Sequence, residues 1–479
     1  MQEIIRRHPE SLEEVDQFGH TPLHLAINRP SCLRLILNTS GPSLLEKQDI
    51  FLQIPLDYAC LSGCKESVRL FLTSGSRITY WCLEAVHDSC QNDLLLALKH
   101  RRDELKRLAL DNLTRTEAES LGLYENAVLD ANAIEVQRLL YSRGVNIPPR
   151  LYVERMWHAS VYHWSISNDN SVSSFDQLWA LGFRDIDCLN SNGRTPMMED
   201  NSLDAVRWLI EHGANYWTPL NERSDSTKIT EPVTPTHSIL GKMGDALGHE
   251  KEYLEFLKAH QWLIEKLLRV RVGDACSCPC SVGGCTPWKA FLDGMVRYQS
   301  YAPTLYYPAA LCVAVIEAFQ TCLGQDDLSL LVRRMTFDAL ELTHTCCRFA
   351  NYISEYTAAR HTSEEIDEIN SEQRALLTLF ADLMDEFEQV AFEDQCGTPL
   401  IASDPEGFWV RRWLPRIRET LDTLDGDDLT PEEKSAAEAI GVVWGPQPVH
   451  RTECEDEDDE LDWGSPEWVM REMEKIMNK

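Results

Sequence analysis

The sequence has few basic side chains for its size. Its 479 residues include 45 Lys and Arg against 77 Asp and Glu, which gives a formal net charge of -32 at pH 7. Proteins bind nucleic acid largely through Lys and Arg, which displace the counterions of the phosphate backbone. We therefore expect neither nucleic acid nor an anionic membrane surface as a partner.

Long hydrophobic runs are also missing. The most apolar stretch, residues 308–316, is far shorter than the roughly 20 residues that cross a bilayer. Residues 1–10 carry charged side chains and contain no apolar signal-peptide core. We therefore expect an intracellular protein, cytoplasmic or nuclear, that does not associate with membranes.

Catalytic motifs are absent as well. The chain contains no Gly-rich phosphate loop, no Gly-x-Ser-x-Gly elbow and no His-Glu-x-x-His helix. An enzyme is therefore disfavoured, and we expect no intrinsic hydrolase, transferase or oxidoreductase activity. The 43% apolar and 25% charged fractions are typical of a globular protein, so most of the chain should fold.

A short segment recurs within the first sixty residues. Residues 16–26 read Asp-Gln-Phe-Gly-His-Thr-Pro-Leu-His-Leu-Ala, and Asp49 with residues 54–59 re-enters this pattern 33 residues later. The segment and its period resemble the opening of the ankyrin repeat. The resemblance implies stacked pairs of helices, because one pair cannot bury its apolar face alone.

Thr21 and Pro22 suit the first turn of a helix. Thr21 can cap the helix by accepting a backbone N–H bond, and Pro22 fits the first helical position, where its missing N–H costs nothing. His24 invites a catalytic interpretation, but the ankyrin resemblance implies that it forms hydrogen bonds within the repeat. Asp57 takes its place in the second copy.

Further copies of the repeat are irregular. Residues 127–144 keep the helix spacing without the opening. Residues 192–197 repeat the opening with a shortened first helix, and residues 234–237 give a last opening after a polar insertion near 221–233.

The sequence therefore predicts an all-α fold. An ankyrin-repeat solenoid with irregular repeats occupies residues 1–270, a helical C-terminal region with a Cys-rich loop occupies 271–445, and an acidic tail with a short terminal helix occupies 446–479.

Half-way along the chain, thiols cluster. Cys276, Cys278, Cys280 and Cys285 lie within ten residues, and His344, Cys346 and Cys347 form a second group downstream. Zinc binds four ligands tetrahedrally and prefers thiolate and imidazole. The sequence predicts one structural zinc ion in a closed site that combines three or four thiols of the loop with His344, Cys346 or Cys347.

Two other interpretations of the cluster remain open. Residues 284–287, Gly-Cys-Thr-Pro, match a further ankyrin-type turn, so the thiols can simply pack beside it. A redox role for the thiols is the second alternative.

The loop and its surroundings carry a second resemblance. An ankyrin array followed by Cys-x-Cys-x-Cys, Gly-Cys-Thr-Pro and, at residues 336–347, Thr-Phe…Leu-Thr-His-Thr-Cys-Cys resembles a group of uncharacterised ankyrin-repeat proteins of filamentous fungi. The ankyrin resemblance implies a non-enzymatic adaptor that binds a protein partner. The alternative is a metal- or thiol-dependent protein whose working part is residues 273–347. The partner and the oligomeric state are not determined by the sequence.

A long amphipathic helix is predicted after Thr362. Residues 362–365, Thr-Ser-Glu-Glu, match a capping box. Apolar side chains then recur at helical spacing to Val390, and Phe408, Trp409 and Trp413 are expected to pack on that stripe.

Overall fold

The computed structural model describes residues 7–154, 160–163, 171–199, 202–218, 234–249, 253–273, 278–296, 315–319, 322–345, 362–391 and 407–424, together with 435, 436 and 439. These residues form helices joined by turns, and no strand occurs among them, which confirms the expected all-α fold. None of these helices combines the length and hydrophobicity that a membrane crossing requires. The chain divides into two compact units, Met1–Pro235 and Thr236–Lys479.

The first unit is a series of helix pairs. Three short helices, α1, α3 and α5, pack against one another in order, and the longer α2, α4 and α6 do the same beside them. Helix α6 also packs against α8 and α9, and α9 packs against α10. The bounds are α1 Pro22–Leu25, α2 Pro30–Thr39, α3 Pro55–Ser62, α4 Lys65–Ser74, α5 Tyr80–Glu84, α6 Asp88–Asn112, α7 Arg115–Ser120, α8 Ala133–Ser142, α9 Ser171–Leu181 and α10 Leu203–Glu211.

Short 3-10 helices complete this unit. They span Pro9–Leu12, Pro42–Glu46, Pro149–Leu151, Val161–His163 and Pro196–Met198. The three residues of the last one confirm the clipped first helix that the sequence predicts after Thr195. The polar insertion near 221–233 lies outside the described residues.

The turns that open the repeats share one hydrogen-bond pattern. In turn B, residues 49–53, Asp49 Oδ1 accepts the backbone N–H groups of Phe51 at 2.8 Å and Gln53 at 3.0 Å. Asp16 makes the same pair of bonds in turn A, residues 16–20, and Asn190 makes it in turn C, residues 190–194. In each turn, therefore, one side-chain oxygen accepts the backbone N–H groups of the residues two and four positions later and holds the turn closed.

An imidazole links each of several turns to the helix before it. His24 Nδ1 accepts the Thr21 N–H at 3.1 Å, and His24 Nε2 donates to the Gln53 carbonyl in turn B at 3.3 Å. The Thr21 hydroxyl also lies 3.0 Å from Nδ1, so Thr21 secures the helix start through the ring and not by the direct cap that the sequence suggests. From its sequence pattern, His24 is expected to bond within its own repeat, but the bond to Gln53 reaches the next repeat.

The same link recurs at two further histidines. His163 Nδ1 accepts the Ser160 N–H at 3.2 Å, and its Nε2 donates to the Arg194 carbonyl in turn C at 3.0 Å. His237 Nε2 lies 3.0 Å from the Cys285 carbonyl. In all three cases the accepting carbonyl directly precedes a residue followed by Pro, which opens the next helix. We call this contact the imidazole joint.

The second unit is also helical. Helix α13 packs against α12 and α14, α14 packs against α16, and α16 packs against α15. Its core holds large aromatic side chains, including Trp288, Phe337, Phe380, Phe387 and Trp413. The bounds are α11 Pro235–His249, α12 Tyr253–Leu268, α13 Pro287–Val296, α14 Gln325–Ala339, α15 Ser363–Glu372, α16 Arg374–Ala391 and α17 Leu414–Leu424, with a π-helix at Gly407–Trp413.

Candidate metal centre

The cysteine loop contains a fourth turn, turn D, at residues 281–285. The Ser281 N–H donates to the Cys278 carbonyl at 3.1 Å, and the Ser281 hydroxyl donates to the Gly284 carbonyl. Gly283 and Gly284 have φ values of +80° and +96°, a backbone region that favours glycine. This compact turn leaves Cys278 and Cys280 just before it, with both side chains buried.

An imidazole approaches these thiols from the second unit's helix α14. His344 follows the end of α14, and its ligand nitrogen and the sulfurs of Cys278 and Cys280 all lie within 4.8 Å of one another. His344 Nε2 lies 2.9 Å from Asp338 Oδ1. A carboxylate that accepts from one ring nitrogen orients the other toward a metal, which makes Nδ1 the nitrogen that would bind an ion here.

The three side chains fit zinc in type and nearly in position. Tetrahedral zinc with bonds of about 2.0–2.3 Å brings neighbouring ligand atoms to about 3.5–3.8 Å. A spacing of up to 4.8 Å therefore needs the ligands to move together by roughly 1 Å. Two thiols and one imidazole are soft and borderline ligands, and a closed tetrahedral site needs one more.

A cation lies close to the two thiols. Arg333 Nε donates to the Pro279 carbonyl at 2.8 Å, between Cys278 and Cys280 in sequence, and its guanidinium lies 4.8 Å from the Phe380 ring centre. Burial lowers the pKa of Arg333, and the charges of Cys280 and Cys278 oppose that shift. The guanidinium is therefore placed to offset the negative charge of thiolates.

A buried charge cluster supports the imidazole from the other side. Lys289 Nζ donates to Asp293 at 2.6 Å, Arg334 Nε donates to Asp293 at 2.8 Å, and Arg334 also pairs with Asp338. Burial alone would raise the pKa of Asp293, but Lys289 and Arg334 bring it down to about 2. Asp293 is therefore ionised, and this network holds Asp338 in place beside His344.

The structure brings together part of the predicted ligand set. Cys278, Cys280 and His344 form one group. Cys285 is fully buried but is not part of that group, and its carbonyl takes part in an imidazole joint. Cys276, Cys346 and Cys347 lie outside the described residues. Residues 284–287 do lead into a helix, which begins at Pro287, so a turn and the Cys278, Cys280 and His344 group share one loop.

Sequence reasoning missed the supporting residues of the site. Asp338 precedes His344 by six residues and sits near the end of α14, a spacing that belongs to no metal motif. Arg333 and Asp293 reach the site from two different helices. Only the packing of α13 against α14 brings them together, so no local pattern could have indicated them.

Comparisons with known proteins give little more. No protein-family model matches the chain, and no curated protein matches it. Among solved structures, the chain is similar to the ankyrin repeat domain of Bcl-3, described as a unique member of the IkappaB protein family, with 20% sequence identity and a TM-score of 0.27. The similarity covers 49% of this chain and 84% of that one.

Proposed function

We propose that this protein is a non-enzymatic scaffold that binds a protein partner through its first unit. The observation that supports this is a set of exposed apolar side chains on turns A and B and on the short helices that follow them. Their exposed fractions run from 43% to 65%, in a unit whose other large apolar residues are mostly buried. The set, called the apolar surface below, comprises Phe18, Leu25, Ile50, Phe51, Leu52 and Leu61.

The apolar surface spans two neighbouring repeats. The Ile50 N–H donates to the Phe18 carbonyl at 3.0 Å, so turns A and B lie side by side. Helices α1 and α3, which carry Leu25 and Leu61, also pack together. Contiguous exposed apolar area on an ordered frame is typical of a protein-binding surface.

A comparative pull-down tests this proposal. The parent chain, the double variant Ile50→Asp, Phe51→Asp and the control Tyr124→Asp are used as bait under the same conditions. Tyr124 is 60% exposed in the same unit but lies outside the apolar surface. We expect partners captured by the parent and by the control to be lost with the double variant. Equal capture by all three proteins would contradict the proposal.

The second candidate function is metal binding, and the Cys278, Cys280 and His344 group supports it. Both thiols are buried, which favours a closed structural ion over an open catalytic site or a redox pair in contact with solvent. The ion would join the loop before turn D to the end of α14 and supply folding free energy to a segment rich in Ser, Gly and Pro. A fourth ligand from Cys276, Cys285, Cys346 or Cys347 completes this proposal.

Zinc stoichiometry tests the metal site. Protein purified without chelator should contain about one zinc per chain, because a closed thiolate site is essentially filled. The Cys278→Ser, Cys280→Ser variant should lose it, whereas Cys32→Ser, Cys322→Ser, which removes two cysteines outside the group, should not. Less than about 0.2 zinc in the parent, or an unchanged ratio in the first variant, would reject the site.

A further inference from the structure

A cavity in the first unit is lined by three arginines, although the chain as a whole is strongly acidic. It lies where α6 packs against the 3-10 helix Pro149–Leu151. The cavity is small and is partly open to solvent. Arg101 and Arg102 come from α6, Arg150 comes from the opposite side, and apolar side chains such as Leu98 and Val153 form the walls.

Of the three arginines, Arg101 gives the strongest indication of a bound anion. Its side chain is only 9% exposed, and its Nη2 donates to the Leu72 carbonyl at 3.3 Å. Its Nη1 is buried and has no hydrogen-bond partner among the described residues. A buried charged donor in this state favours the binding of an anion that can accept from it.

Two carboxylates near Arg101, Glu46 and Glu104, pair with other arginines, and their charges also favour the charged form of Arg101. Glu46 accepts the Arg77 backbone N–H at 2.8 Å and pairs with Arg77 Nε at 2.9 Å. Glu104 pairs with Arg150. Burial lowers the pKa of Arg101 only to about 10, so its guanidinium is charged at neutral pH.

The cavity wall is held in place before any ligand arrives. Gln137 clamps the segment after the 3-10 helix, because its Oε1 accepts the Val153 N–H at 2.6 Å and its Nε2 donates to the Val153 carbonyl at 3.2 Å. A rim fixed in this way loses little conformational freedom on binding. The apolar walls also strengthen the attraction between a guanidinium and an anion.

We propose that this cavity binds a small tetrahedral oxyanion such as inorganic phosphate, held by the guanidinium groups of Arg101, Arg102 and Arg150 that line it. A tetrahedral oxyanion presents several oxygens in different directions, which matches guanidinium groups that converge from two elements. A single carboxylate would use fewer of these donors.

Calorimetric titration of the full chain with inorganic phosphate, in a buffer without other oxyanions and at constant ionic strength, tests the proposal. The parent should bind one phosphate saturably. Arg101→Gln should weaken binding at least tenfold. The control Arg115→Gln, whose side chain is 85% exposed and pairs with Glu119, should bind as the parent does.

Arg150→Gln guards against an Arg101 variant that does not fold, because Arg150 is 44% exposed and its replacement should disturb the interior less than that of Arg101. Several-fold weaker binding by Arg150→Gln supports the site. No saturable binding by the parent, or parent-like binding by either the folded Arg101→Gln variant or Arg150→Gln, overturns it.

Discussion

Leu52 occupies a backbone position that glycine occupies in the neighbouring turns. Its φ is 62°, and the matching residues of turns A and C are Gly19 and Gly193, with φ values of 82° and 75°. A left-handed conformation costs a side-chain-bearing residue roughly 1–2 kcal/mol. Leu52 is 65% exposed and so gains little packing in return.

We therefore predict that Leu52→Gly stabilises the protein. The relief of strain should exceed the greater chain entropy of glycine, for a net gain of about 0.5–1 kcal/mol in the free energy of unfolding. Urea denaturation measures this gain. The control Leu189→Gly, at an exposed leucine without positive φ, should be neutral or destabilising. A loss of stability in Leu52→Gly equal to that of the control would contradict the prediction.

Asp130 is a buried carboxyl group whose ionisation opposes folding. Burial is the main reason that its pKa is raised to about 8, and Asp185 adds to the shift, while Arg102 opposes it. Between about pH 4 and pH 8 the unfolded chain loses this proton and the folded chain keeps it. The contribution of Asp130 to stability therefore falls as pH rises through that window.

Asp130→Asn should stabilise the protein more at pH 8 than at pH 5. An amide oxygen can still accept the Val161 N–H, which lies 3.1 Å from the present carboxylate, but it cannot ionise. We expect the two stability gains to differ by about 1–3 kcal/mol, measured by urea denaturation at both pH values. Asp111→Asn, at the exposed end of α6, is the charge-matched control. A gain that does not change with pH would exclude this role for Asp130.

At the scale of elements, the imidazole joint couples one helix to the turn of the next repeat. His163 satisfies the Ser160 N–H and the Arg194 carbonyl at once, in a largely buried position. His163→Ala should cost about 2–4 kcal/mol, because it leaves both groups unsatisfied and opens a cavity. Urea denaturation provides the measurement. The exposed His100→Ala should change stability by less than about 0.5 kcal/mol, and a similarly small effect at His163 would show that the joint does not stabilise the stack.

This joint also marks where sequence reasoning ends. The openings at Thr21 and Thr195 carry the Thr-Pro signal and were predicted from it. The opening at Ser160 was missed because Ser and Val stand where Thr and Pro stand elsewhere, and only the hydrogen bonds of His163 reveal it. The hydrogen bonds of the histidine are the same in the copies at Thr21 and Ser160, whereas the amino acids at the helix start differ.

The amphipathic helix after Thr362 was predicted from the sequence, but its division into two helices was not. Its capping box is confirmed, with the Glu365 N–H donating to Thr362 Oγ1 at 3.3 Å, and Phe387 packs on Phe408 and Trp413 as expected. The single helix that the stripe predicts is divided into α15 and α16 at Gln373. The amide of Gln373 makes two 2.9 Å hydrogen bonds to Thr343, a tertiary contact that no periodicity can indicate.

At the scale of the whole molecule, the two units should respond differently to metal removal. If zinc joins Cys278, Cys280 and His344, a chelator should increase hydrogen exchange in residues 278–296 and 325–345 of the second unit. Residues 22–112 of the first unit should keep their protection. Mass spectrometry of exchange on the intact chain, with and without chelator, makes the comparison. Equal changes in both units, or no change in either, would contradict this prediction.

The imidazole joint has a consequence for protein engineering. The three joints span 29, 31 and 48 residues of chain, yet each ends at the same kind of carbonyl before a helix start. The contact therefore fixes how one repeat aligns with the next, but it does not fix the number of residues between the histidine and the carbonyl. Foreign sequence, such as a reporter domain or a tag, should therefore be inserted in a loop between joint residues and outside the helices. The neighbouring repeats should then stay aligned, because added loop length costs only slowly rising closure entropy.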